Sequence, residues 1–188
     1  MPPKVRITKE EIVETALRLV RQGGTGALNA RTLASELQCS TQPIFSNFPT
    51  MEALQHATEE AAYARYLSFL KKGLEDGKYP AYKAFGMSYI LFAKEERELF
   101  RMLFMCDREG RDLSPTSDFN ASVDMIAKAN GCTRETAERM HMEMWIFVHG
   151  IATMLVTSYL PLEIDMISEM MTDVYQGLRA RLMGGDKV

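Results

Sequence analysis

The stretch Thr41-Gln42-Pro43-Ile44-Phe45-Ser46-Asn47 sets two side-chain amides and two hydroxyls among apolar residues. A Gln or Asn amide can pair bidentately with the major-groove edge of adenine, and a threonine methyl or a proline ring can touch a thymine methyl. As apolar residues, Ile44, Phe45 and Phe48 are expected to face inward, while Thr41, Gln42, Ser46 and Asn47 face water. Pro43 fits such a helix only in its first turn, where the backbone N–H has no partner to lose. Ser40 or Thr41 is therefore expected to open the helix.

A helix this short needs other elements to hold it. Thr8 with Glu11 three residues on has the capping-box spacing and opens a first helix that Gly23-Gly24 ends. Asn29 caps a second helix whose apolar residues are Leu33, Ala34 and Leu37, with a tight turn at Gln38–Cys39. Two short helices joined by a tight turn suit a helix-turn-helix, whose second helix enters a groove about 12 Å wide. Pro49 breaks the chain and Thr50 caps a long helix reaching roughly to Leu74. Further helices are expected over Ala81–Ala93, Glu95–Met105, Asp118–Ala129, Thr133–Tyr159 and Glu163–Met183, with Cys106–Asp118 as the most loop-like interior stretch. Alternating strand patterns are absent, so the fold class is all-α.

Charge is unevenly spread along the 188 residues. Residues 1–50 carry six Lys/Arg and four acids, a net of +2, and the other 138 carry 16 bases and 21 acids, a net of −5. A weakly basic head on an acidic body suits a polyanion at the head only. The three cysteines, Cys39, Cys106 and Cys132, form no CxxC pair, which points away from a zinc site or a disulfide framework. No signal-peptide pattern is visible at the amino terminus, and "MWIFVHGIATMLVTSYL" is too short and too polar for a membrane span. A cytoplasmic protein without a cofactor is expected.

From Ile7 to Leu54 the sequence resembles the amino-terminal domain of the TetR (tetracycline repressor) family, through "ITKEEIVETALRLVRQGG", "LNARTLASELQCS" and "PIFSNFPTMEAL". The resemblance implies a DNA-binding domain at 1–49 and a ligand-binding and dimerisation domain at 50–188. It also implies a regulator, most simply a repressor, that binds a palindromic operator and is released by a small apolar or aromatic effector. Three positions depart from the family pattern. The usual recognition-helix Tyr is Phe45, the His or Tyr two places on is Asn47, and the Lys that starts helix four is Met51. Fewer phosphate contacts mean a shallower salt dependence. The resemblance leaves Arg31, Thr50, Lys4 and Arg6 as backbone contacts, beside Thr41, Gln42, Pro43, Ser46 and Asn47 at the bases.

The carboxy-terminal half is rich in Met and aromatic residues, which make adaptable apolar cavities. Tyr63, Tyr66, Tyr89, Phe104, Trp145 and His149 are the candidate effector contacts; "MWIFVHGIA" resembles the Trp-x-x-x-His-Gly element of one family subclass. The last two helices carry apolar residues on more than one side, including Ile146, Leu155, Ile167, Met170, Val174 and Leu178. Two apolar sides must both be buried, and a twofold pairing of these helices with their copies would do it. A helical enzyme and a protein-interaction module are the rivals. Glu138 and His141 make one Glu-x-x-His step, but a di-iron bundle needs a second step and two more inward Glu.

Overall fold

The computed structural model describes residues 7–107 and 117–184; Lys4 and Arg6 lie outside them, as does most of the expected 106–118 loop. The described residues are helical and contain no strand. The helices are α1 (Lys9–Gly23), α2 (Ala30–Glu36), α3 (Gln42–Asn47), α4 (Met51–Glu75), α5 (Ala81–Glu95), α6 (Arg97–Phe104), α7 (Ser117–Asn130), α8 (Arg134–Val156) and α9 (Ile164–Met183), with a single 3-10 turn at Thr25–Ala27.

Local chemistry sets the ends. Thr8 Oγ accepts from the Glu11 N–H at 3.1 Å and Glu11 returns the bond to the Thr8 N–H at 2.8 Å, which closes the capping box of α1. Asn29 Oδ1 accepts from the N–H groups of Arg31 and Thr32 and caps α2. Thr50 and Thr133 do the same for α4 and α8. Thr41 precedes α3 in helical conformation and makes no capping bond, so Pro43 sits in the first turn.

The chain packs as two compact units. The first is Met1–Ser68 with Glu96–Asp107, and the second is Phe69–Glu95 with Arg108–Val188. Packing therefore carries the amino-terminal unit past residue 49, because α6 folds back onto α1. Its core joins Ile12, Ala16 and Val20 of α1 to Leu33, Ile44, Leu54, Leu99 and Phe100. In the second unit α8 packs on α5, α7 and α9 around Ile90, Phe92, Val123, Ile126, Met140, Met144 and Ile167.

Phe45 corrects an expectation. Ile44 and Phe48 are buried, but Phe45 is 43% exposed. Ile44 and Phe48 are four apart and share a face, whereas Phe45 points about 100° away, a direction that a six-residue helix cannot also turn inward. Burying Ile44 and Phe48 contributes roughly 1.5–3 kcal/mol each. That burial holds a helix otherwise too short to persist.

Candidate nucleic-acid interface

The turn between α2 and α3 is built from backbone bonds. The Cys39 N–H donates to Ala34 O at 2.9 Å and the Gln38 N–H to Ser35 O at 3.1 Å, with Gln38 in the left-handed region at φ 51°. This pattern is a Schellman ending. It swings the chain so that α3 starts three residues later, at Gln42.

Around α3 the side chains sort into three arcs. Ile44 and Phe48 face the core. Thr41, Pro43 and Asn47 are half-buried at its flanks. Phe45, Gln42 and Ser46 form the outward arc. Ser46 Oγ donates to Gln42 O at 2.9 Å, and Asn47 Nδ2 donates to Pro43 O at 2.8 Å. Both side-chain donors are thus turned back onto their own helix. Gln42 is left as the long amide on the outward arc.

The basic residues of the unit are mostly engaged elsewhere. Arg18 pairs with Glu36 at 3.3 Å, and Lys9 Nζ sits 5.1 Å from the centre of the Phe48 ring. Arg21 grips Glu96 in fork geometry, Nε to Oε2 at 2.7 Å and Nη2 to Oε1 at 2.8 Å. Arg65 of α4 donates to the same carboxylate from Nε at 2.7 Å. Arg31, exposed in the first turn of α2, pairs with no acid among the described residues. Thr50 Oγ accepts from the Ala53 N–H at 3.1 Å. The Glu52 backbone N–H and the Thr50 hydroxyl both bond the Glu52 carboxylate and hold its pKa below the usual range.

The expected effector contacts divide between the two units. In the first, Tyr66 meets Phe104 edge-on at 5.1 Å between ring centres and Tyr63 at 5.8 Å. In the second, His149 stacks on Trp145 at 5.2 Å and 12°, and its Nδ1 lies 2.8 Å from the hydroxyl of buried Tyr89. Trp145 itself is 45% exposed. A parallel pair joins the same two helices further along, where the Tyr82 hydroxyl lies 3.0 Å from His141 Nδ1. Burial lowers the His141 pKa, and burial followed by the Tyr175 hydroxyl raises that of Tyr82. Burial thus favours the neutral form of both members of this hydrogen-bonded pair. Glu138 accepts from Arg134 Nε at 2.8 Å, so both members of the Glu-x-x-His step have protein partners.

Two features of this unit escape a reading of the sequence. Phe45 is an exposed aromatic on the outward arc; the four-residue step from Ile44 to Phe48 fixes the buried face and leaves it outside. The Arg21–Glu96–Arg65 triad has no local signal, because its members lie 75 and 31 residues apart.

Known proteins bear on this arrangement in two ways. The family model described as "Tetracyclin repressor-like, C-terminal domain" matches residues 82–175, half of the chain. The chain belongs to the tetracycline-repressor-like family of transcriptional regulators. Solved structures show the same fold over nearly the whole length. A protein of unknown function from Rhodococcus sp. RHA1 is 19% identical with a TM-score of 0.72, over 96% of this chain and 98% of that one. A TetR-like transcriptional regulator, also from Rhodococcus sp. RHA1, is 12% identical with a TM-score of 0.67, over 99% and 100%. A TetR-family member from Streptomyces coelicolor A3 is 18% identical with a TM-score of 0.63, over 88% and 96%. No curated protein matches by sequence. No helix among the described residues is long and apolar enough to cross a membrane.

Proposed function

We propose that this chain is a homodimeric repressor that binds a palindromic operator through α2 and α3 and is released by a small apolar or aromatic effector. The observation that carries the reading is the outward arc of α3, a wet amide-bearing surface on a helix pinned from behind by Ile44 and Phe48. Arg31 and, beyond the described residues, Lys4 and Arg6 serve the phosphates; Gln42 serves the bases. Thr41, Pro43 and Asn47 flank the contact, and Thr50 stands at the start of α4.

Dimerisation is supported by an unpartnered apolar row. On α8, Met142, Trp145 and Ile146 are exposed, Ile146 at 60%, and on α9 Met166 is 53% exposed. Twofold pairing of α8 and α9 would cover this row and present two reading heads to a palindrome. Such pairing takes the outer face of Trp145 for the dimer. His149 and Tyr89, on its inner side, remain as the effector contacts of this unit; Tyr63, Tyr66 and Phe104 are the candidate contacts within the other unit. α4 runs unbroken from Met51 to Glu75 and is the lever in this reading. An effector acts only through its differential affinity for the two spacings of the heads.

Selection from random duplexes, followed by binding at several salt concentrations, tests the reading. A palindromic site should emerge. Arg31→Ala should weaken all duplexes alike and reduce the salt slope by about one. Gln42→Ala should cost about 1–3 kcal/mol and relax preference at one position per half-site. A folded protein that ignores every duplex at low salt would sink the proposal. It would leave a protein-interaction module as the reading.

A further inference from the structure

A helix that reads bases needs side chains that offer the groove something not already spent on the protein. On α3, two of the four polar candidates fail that condition in part. The Ser46 hydroxyl proton goes to the carbonyl of Gln42 and one of the two Asn47 amide protons to that of Pro43. A backbone carbonyl can only accept, so the Asn47 amide is oriented with its nitrogen inward and its oxygen out. Ser46 therefore presents an acceptor, and Asn47, half-buried at the flank, keeps its oxygen and one amide proton. Gln42 alone on the outward arc combines an unspent donor with an acceptor, and three residues on, one turn away, the Phe45 ring stands in water beside it.

This pairing has a matching chemistry. In the major groove adenine shows an acceptor and a donor side by side, N7 and N6, and thymine shows a C5-methyl that no other base carries. An amide answers the first and an aromatic face the second. A phenylalanine has no hydroxyl for a phosphate, so an exposed ring here gains only by covering an apolar group.

We propose that α3 reads adjacent A·T pairs, Gln42 pairing with the N7/N6 edge of an adenine and Phe45 packing on the 5-methyl of a neighbouring thymine. Phe45 is then a specificity-determining residue and not merely a prop for the helix. The inference rests on the operator-binding reading above and adds the base chemistry of the half-site.

The test removes the methyl without disturbing anything else. The duplex recovered by selection is compared with the same duplex carrying deoxyuridine for thymine in each half-site. Wild-type protein should bind the deoxyuridine duplex about fourfold more weakly for each methyl lost from contact, the factor expected for one buried carbon. Phe45→Ala and Phe45→Gln should bind both duplexes equally, with helix content and melting temperature confirming that each is folded. Replacing the contacted adenine by 7-deazaadenine should weaken wild type and leave Gln42→Ala unaffected. A wild type indifferent to the methyls overturns the proposal while operator binding stands. So does uniform weakening in the Phe45 variants with discrimination intact, which is what a structural role would give. Absence of all duplex binding overturns this inference together with the reading beneath it.

Discussion

The two units tie their helices together by opposite chemistry. In the amino-terminal unit the cross-link is ionic: Glu96, 5% exposed, receives Arg21 from α1 and Arg65 from α4 at the start of α6. In the other unit the cross-links are neutral: α5 meets α8 through Tyr82–His141 and Tyr89–His149, among methionines and aromatic rings. A buried carboxylate is tolerable only while its cations stay in hydrogen-bonding reach, so the triad fits one arrangement of its three helices. A tyrosine–histidine pair loses far less when it lengthens, and methionine repacks easily. Rigidity belongs with the unit proposed to read a fixed groove, and compliance with the unit whose face is proposed to pair with a copy of itself.

The largest expected effect comes from breaking the ionic side. Glu96→Ala strands two arginine side chains that are 43% and 40% exposed and can partly rehydrate. We expect a loss of about 2–3 kcal/mol, somewhat below the cost of orphaning fully buried partners. Glu96→Gln keeps an acceptor and should lose less. Denaturant titration measures both, and an unchanged midpoint for Glu96→Ala would remove the contrast between the units.

The neutral side should yield in a different manner. Tyr82→Phe leaves half-buried His141 Nδ1 without its partner and should cost about 1–2 kcal/mol. The pair should also respond to acid. Burial depresses the His141 pKa in the folded chain, so the unfolded chain takes up the proton first as pH falls. The stabilising contribution is therefore whole above the unfolded value near 6.5 and is lost as pH drops from there through the folded value. His141→Asn, which cannot charge, should lose less stability than wild type between pH 7 and 5. Parallel curves for the two would count against a neutral, acid-sensitive pair.

The same contrast explains what could be read before the structure. Caps and helical periodicity are local, so Thr8, Asn29, Thr50 and Thr133 fall at helix starts as expected, and most helix ends fall within about three residues of expectation. The all-α class and the family follow from the same signals and the matched segment. The triad was not legible, because Glu96 looks like any surface acid between α5 and α6 until α6 is folded back on α1. At the site, Gln42 and Arg31 are exposed as their types suggest, but the direction of a hydrogen on Ser46 or Asn47 is set by α3 itself. Phe45 was misjudged by composition and would have been placed correctly by angle.

The smallest effect sharpens the comparison at a single turn that both units share. α2 ends with Gln38 in the left-handed region, and α7 ends with Gly131 there, at φ 51° and 63°. The outer closing bonds match, Cys39 N–H to Ala34 O and Cys132 N–H to Ala127 O, while the inner ones reach Ser35 O from Gln38 and Ala127 O from Gly131. A side chain in that conformation costs about 1–2 kcal/mol, which glycine avoids at the expense of a more disordered unfolded state. Gln38→Gly should therefore stabilise the amino-terminal unit by somewhat under about 1 kcal/mol, and Gly131→Ala should destabilise the other by about 1 kcal/mol. Thermal melts of the two variants read opposite signs if the turns are equivalent. A Gln38→Gly protein that melts lower than wild type would mean that the Gln38 side chain contributes to the turn beyond its backbone, and that the strained residue is retained for a reason the glycine of α7 does not share.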